Sequence, residues 1–250
     1  MRNFSVALFA LVFGLTSARA QWSITSTTSD FSNGRVVEHR HVVARSGAGD
    51  EATIDLAIFS AKTATLRVID NTNANDSLAD TMRRDTCIAG VNGGYFDPNY
   101  APVGLMISDG RVIKPLQKAR LLSGVVSATK DNVRVQRAAE FSMKSKPLNA
   151  RQCGPFLVDQ GSAIAGLNSD RTARRTFVVT LSDGRAAIGN CSYVTLSELA
   201  SLLAMPELKI QRAMNLDGGS SSGFWFAGEK GIVSISEQKD VRDFLAIVPR

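Results

Sequence analysis

The sequence predicts an α+β domain: one mixed α/β unit, strand-rich with few helices. Three observations predict it. Short apolar or alternating runs recur along the chain, divided by Gly, Asn, Asp and Pro turn signals. Only one segment carries a full helix signature. No long linker, low-complexity tract or strict repeat splits the 250 residues.

The N-terminus reads as a leader. Met1 and Arg2 give a short positive segment, residues 6–15 an apolar run broken by Gly14, and Ala18-Arg19-Ala20 a small-x-small cleavage pattern. The run is too short to cross a bilayer comfortably. Residues 1–20 are expected to be a cleaved signal peptide, leaving residues 21–250 secreted or periplasmic. Cleavage removes Arg2 and Arg19 and lowers the formal charge from +6 to +4. No later stretch approaches 18 apolar residues, so stable membrane insertion is not expected. The basic residues are scattered, which argues against a nucleic-acid surface and remains compatible with a small anionic substrate.

Strands are expected over residues 36–44, after an Asn33-Gly34 turn, and over 53–60, where Ile54, Leu56 and Ile58 share a face. Residues 65–69 and 87–91 follow, with a polar loop over 70–76 between them. Ser108-Asp109-Gly110 and Ser182-Asp183-Gly184-Arg185 mark two hairpins. Residues 125–128, 133–138, 156–158 and 244–248 complete the apolar runs. The helix starts at Thr195, with Glu198 placed for a capping box, apolar Leu196, Leu199, Ala200 and Leu203, and Pro206 as its stop.

Three cysteines in an exported chain predict one disulfide. Of the three pairings, Cys153–Cys191 is preferred, since both follow polar segments near strand ends; Cys87 reads as a buried thiol. No C-x-x-C pair suggests zinc or redox chemistry.

Two glycine-flanked strings are the candidates for chemistry. In Asn92-Gly93-Gly94-Tyr95-Phe96-Asp97 and Asn215-Leu216-Asp217-Gly218-Gly219-Ser220-Ser221, a carboxamide or carboxylate meets a Gly-Gly pair. Glycine allows close backbone approach, and its N–H groups can face an anion. Asx-capped turns would give the same pattern. Arg171, Arg174, Arg175 and Thr176 enter the strand 177–181 and form either a phosphate clamp or a solvated turn. Tyr95, Phe96, Phe224 and Trp225 suit sugar stacking or a core. Gly219-Ser220-Ser221-Ser222-Gly223 matches a nucleophile elbow, but the only histidines, His39 and His41, come earlier, and Phe224-Trp225-Phe226 opens a helix poorly. The His39-x-His41 pair reads as decoration of an edge strand.

These strings, with Pro102-Val103-Gly104-Leu105, Gly154-Pro155-Phe156-Leu157 and Arg175-Thr176, resemble the phosphodiester glycosidase domain family over about residues 87–225. The resemblance implies hydrolysis of the glycosidic bond of a sugar-1-phosphodiester or phosphoglycan, with the motif loops meeting in one cleft. It points to Asp217 and Asp97 as nucleophile or base, Asn92 as an orienting group and Arg175 as the phosphate holder. Gly93, Gly94, Arg174, Thr176, Gly218, Gly219, Ser220 and Ser221 are the implied substrate-binding set. No cofactor is predicted; carboxylates leave calcium or magnesium binding open. The alternative is an inactive exported glycan-binding protein on the same fold.

Overall fold

A computed structural model describes residues 22–73 and 75–250, so the leader lies outside the described residues. In chain order come β1 (Trp22–Phe31), β2 (Val37–Ser46), β3 (Glu51–Phe59), β4 (Ala64–Asp70) and helix α1 (Leu78–Arg84). There follow β5 (Ala89–Asn92), β6 (Met106–Ser108), β7 (Arg111–Lys114), β8 (Gly124–Ala128), β9 (Val133–Arg137), β10 (Asn149–Cys153), β11 (Phe156–Asp159) and β12 (Ser162–Ala163). The rest are β13 (Ala173–Leu181), β14 (Ala186–Val194), α2 (Leu196–Leu203), β15 (Ile210–Asn215), β16 (Phe224–Gly228), β17 (Gly231–Ile235) and β18 (Asp243–Pro249).

The strands form three antiparallel sheets: β1-β2-β3-β14-β13-β15-β11-β12, β7-β6-β10-β8-β9 and β17-β16-β5-β18-β4. Side-chain alternation sorts the large sheet into two faces. Phe59, Val178, Ile188 and Met214 enter a central core shared by all three sheets. Ile54, Leu56, Ile58, Phe177 and Val179 pack on the other face beneath α2, whose Leu199, Leu202 and Leu203 are fully buried. The Thr195–Glu198 capping box starts α2 as its sequence requires. The short α1 covers the outer face of the third sheet through Leu78 and Met82.

The disulfide expectation is overturned. Cys87, Cys153 and Cys191 are three separate buried thiols. Cys153 faces the central core, whereas Cys191 lies on the opposite face of the large sheet, under α2, so the sheet itself divides them. Desolvation pushes Cys87 up to about 11 and the other two up to about 12. The edge-strand reading of the histidines also fails, because β2 is flanked by β1 and β3. His39 and His41 share one face of β2 and both bond Asp55 Oδ1 on β3, at 2.8 and 2.9 Å. No helix among the described residues is long and apolar enough to cross a membrane.

Candidate active site

Antiparallel pairing places the start of β13 beside the end of β15, with Phe177 opposite Asn215. The loop after β5 reaches the same end and is stitched to the loop after β15. The Asp217 N–H donates to the Gly93 carbonyl at 3.1 Å, and Asn92 Nδ2 donates to the Asp217 carbonyl at 2.7 Å. Asn92 Oδ1 accepts the Thr176 hydroxyl at 2.6 Å and the Gly223 N–H at 3.1 Å. The Asn92 amide is thus occupied by protein groups and buried, as is Thr176. Both hold the loops from below rather than facing a ligand.

Above them lies a polar cavity of about 480 Å³. Tyr95, Arg171, Arg175, Asn215, Asp217 and Lys239 line it, with Gly218, Gly219 and Ser220 as one wall. Asp217 contributes the one carboxylate of that lining. Burial raises its pKa above the usual carboxylate range, and the nearby Asp243 charge adds to this; the Ser221 hydroxyl, Lys239 and the Gly218 N–H pull the other way. Ser221 Oγ donates to Oδ2 at 2.6 Å and the Gly218 N–H to Oδ1 at 3.0 Å, which fixes the carboxylate plane. Ser221 is fully buried, and strand β16, not a helix, follows it, so no nucleophile elbow forms.

Arg175 is 8 % exposed, and desolvation lowers its pKa. Its Nε donates to the Val194 carbonyl at 2.9 Å and its Nη2 to the Arg171 carbonyl. One edge of the guanidinium is therefore spent on backbone. Both Nη1 hydrogens and one on Nη2 are left for a ligand, and Arg171 and Lys239 supply the cavity's other cations. Arg174, on the opposite face of β13, donates to the Ser236 carbonyl at 3.1 Å and does not line the cavity. Asp97 is also absent from it: its carboxylate accepts the N–H groups of Asn99 at 2.8 Å and Ala101 at 3.0 Å, closing a turn.

The Gly93-Gly94 pair is a correction of a different kind. The Gly93 N–H donates to the Asp243 carbonyl at 2.7 Å, and the Gly94 N–H points to Asp243 Oδ2 at 3.4 Å, so both are turned to the protein's own Asp243 and not to the cavity. A Cβ on Gly93 would stand 1.9 Å from Asp243 Oδ2, and one on Gly94 2.5 Å from Arg151 Cζ. These glycines make room for the Arg151–Asp243 ion pair, closed at 3.0 Å with both side chains 0 % exposed. Arg151 also holds the Tyr95 and Val103 carbonyls, at 2.7 and 2.9 Å. Motif reading missed this pair because its members stand far apart in sequence and arginine ordinarily signals surface.

Asn215 was also missed as a site residue, although it opens the second string. Its Nδ2 donates to the Gly154 carbonyl at 3.2 Å and to the Leu216 carbonyl, which orients the amide. Its buried Oδ1 has no partner among the described residues. Tyr95 Oη donates to the Gly154 carbonyl at 2.5 Å; burial drives its pKa far up, so the phenol stays neutral. Lys239 carries no local motif at all.

The phosphodiester glycosidase family model matches residues 85–248, more than half of the chain. This chain is a member of the phosphodiester glycosidase family. The matched span runs past residue 225 and takes in Asp243. Among solved structures it is similar to the zebrafish N-acetylglucosamine-1-phosphodiester alpha-N-acetylglucosaminidase catalytic domain, auto-inhibited by its pro-peptide. The TM-score is 0.66 at 16 % identity, covering 90 % of this chain and 88 % of that one. A hypothetical protein from Synechocystis matches with a TM-score of 0.65 at 13 % identity, over 86 % of this chain and 62 % of that one. At such identities the likeness is one of fold. No curated protein sequence matches the chain.

Proposed function

We propose that this phosphodiester glycosidase family member hydrolyses the glycosidic bond of a sugar-1-phosphodiester, releasing a free sugar and a phosphomonoester. The observation that carries the reading is the pairing, in one polar cavity, of a single desolvated carboxyl group, Asp217, with three cations, Arg171, Arg175 and Lys239. The motif loops after β5 and β15 and the start of β13 then serve one cleft. The cations stabilise the charge that develops on the leaving phosphate, which needs little protonation. Asp217 acts at the sugar end. Its raised pKa makes it a stronger proton acceptor than an exposed aspartate, suited to drawing a proton from water as that water attacks the anomeric carbon. The bond from that carbon to the bridging oxygen breaks, and the oxygen leaves with phosphorus. Ser221 orients Asp217, and the unpartnered Asn215 Oδ1 provides an acceptor for a sugar hydroxyl.

The absence of a second carboxylate from the cavity lining supports a second reading, an inactive glycan- or phosphoglycan-binding protein, since glycosidases commonly use two. Mass analysis of products from a panel of sugar-1-phosphodiesters separates the two. Free sugar with an alkyl phosphate supports the enzyme. Binding across the panel without turnover supports the alternative, and sugar-1-phosphate with an alcohol contradicts the proposed bond scission. We further propose export after cleavage following Ala20. An intact mass beginning at Gln21 is expected, and an exported protein retaining residues 1–20 would contradict it.

A further inference from the structure

The cavity at Asp217 has two neighbouring depressions. Asn168 and Leu196 line it and also line a neighbouring depression of about 550 Å³. That depression shares Arg120, Ser123 and Arg137 with a third, of about 630 Å³. The three adjoin in series from Asp217 to the irregular loop 115–123 between β7 and β8. Their chemistry changes along the way. The inner cavity is polar, the adjoining depression is mixed, with Ser123 and Asn168 beside Leu121, Ile164 and Leu167, and the outermost is mainly apolar, with Leu116, Leu122 and Phe141. Leu116 and Leu121 stand on the rim of these two depressions, the outer groove, 41 % and 53 % exposed.

Charge along the groove has one sign. Lys118, Arg120 and Arg137 line it, and no carboxylate does. Arg137 is bound to Asp159 at 2.9 Å and stacks over Phe156 with its Cζ 4.5 Å from the ring centroid. Its charge is thereby neutralised and its plane becomes part of the wall. Lys118 and Arg120 stand exposed on the rim. Such side chains lay their methylene stems along apolar surface and keep their heads in water.

We propose that the outer groove takes the aglycone, and that the aglycone is an apolar chain: the substrate is a sugar-1-phosphate esterified to a long-chain alcohol. The inference rests on the glycosidase reading. With the sugar and phosphate held in the inner cavity, the esterified alcohol leaves past Asn168 and Leu196 into the groove. A hydrocarbon gains about four-fold in affinity for each methylene fully buried there. A second sugar would leave hydroxyls unpaired against leucine and phenylalanine. The cationic rim matches an anionic amphiphile, and the phosphomonoester product carries more negative charge than the diester it came from.

The test compares methyl and decyl phosphodiesters of one sugar, below the concentration at which the decyl compound forms micelles. A kcat/KM at least ten-fold higher for the decyl substrate, expressed in KM, is expected. L116D and L121D should bring that ratio towards one. Titration calorimetry with methyl phosphate and decyl phosphate reads the groove without turnover and should show the same preference. Equal binding of the two phosphates overturns the groove assignment. So does a decyl preference undiminished in both variants, or a diester with a sugar aglycone that outcompetes the decyl one. Preferential decyl phosphate binding with hydrolysis of neither diester fails differently: it removes the glycosidase reading, and with it the substrate class, while leaving the groove as an alkyl-phosphate site.

Discussion

Asn92-Gly93-Gly94 and Asp217-Gly218-Gly219 are near-copies in sequence and opposites in use. In the first, the missing side chains admit protein. Arg151 and Asp243 fill the space where Cβ atoms would stand, and the backbone N–H groups are consumed internally. In the second, a Cβ on Gly218 would meet nothing nearer than the Arg174 carbonyl at 3.1 Å, and one on Gly219 nothing nearer than Arg171 Nη2 at 4.0 Å. That space opens into the cavity. The first pair is required by close approach, whereas Gly219 is required by its φ of 67°.

Breaking the first turn should therefore cost stability, and altering the second should cost activity. The largest effect is expected from Asp243→Asn, which strands the buried Arg151 charge and should lower unfolding free energy by about 3–5 kcal/mol in denaturant titrations. A loss under 1 kcal/mol would show that the pair does not hold the first turn. Gly93→Ala should cost about 3 kcal/mol through its clash with the Asp243 carboxylate.

At the second turn, Asp217→Asn keeps the shape and removes the ionisable group. A fall of roughly 10²-fold or more in kcat is expected. Its effect on stability has the opposite sign from the changes at the first turn. A carboxyl whose folded pKa is raised supports the fold while protonated, and that contribution is lost as pH rises through the folded value. Asp217→Asn should therefore melt higher than the parent at neutral pH, and the gap should close below about pH 4, where unfolded aspartate is also protonated. A gap independent of pH would contradict the desolvated carboxyl.

A smaller change is expected from Arg175→Lys. It forfeits the bonds to the Val194 and Arg171 carbonyls as well as the Nη1 donor, and kcat/KM should drop roughly ten-fold, about one charge-assisted hydrogen bond. The smallest effect concerns neither turn. Protein denatured without reductant should titrate three thiols per chain; finding one would restore the disulfide that the large sheet excludes.

Most strand positions were legible because alternation or apolar runs marked them, as at Ile54, Leu56 and Ile58, and α2 was legible from its capping box. The strand β1 was not: its Ser- and Thr-rich residues are largely exposed and owe their order to a long pairing with β2. Likewise, β10 buries Asn149, Arg151 and Gln152, which a polarity reading assigns to the surface. The seven-residue α1 is too short for a periodic signal, although Ser77 caps it. Of the residues in the motif strings, Asp217, Arg175, Gly218 and Gly219 line the cavity. The strings also contain Asp97, which serves its own turn, and Asn92, which serves the scaffold. Lys239 and the Arg151–Asp243 pair became visible only when the three sheets brought distant segments together.

Attack at carbon rather than phosphorus is tested most directly by heavy-oxygen water. Hydrolysis of a sugar-1-phosphodiester in labelled water should place the label on the anomeric oxygen of the released sugar, leaving the phosphomonoester unlabelled. Label found in the phosphate alone would contradict the role assigned to Asp217 and to the cavity around it.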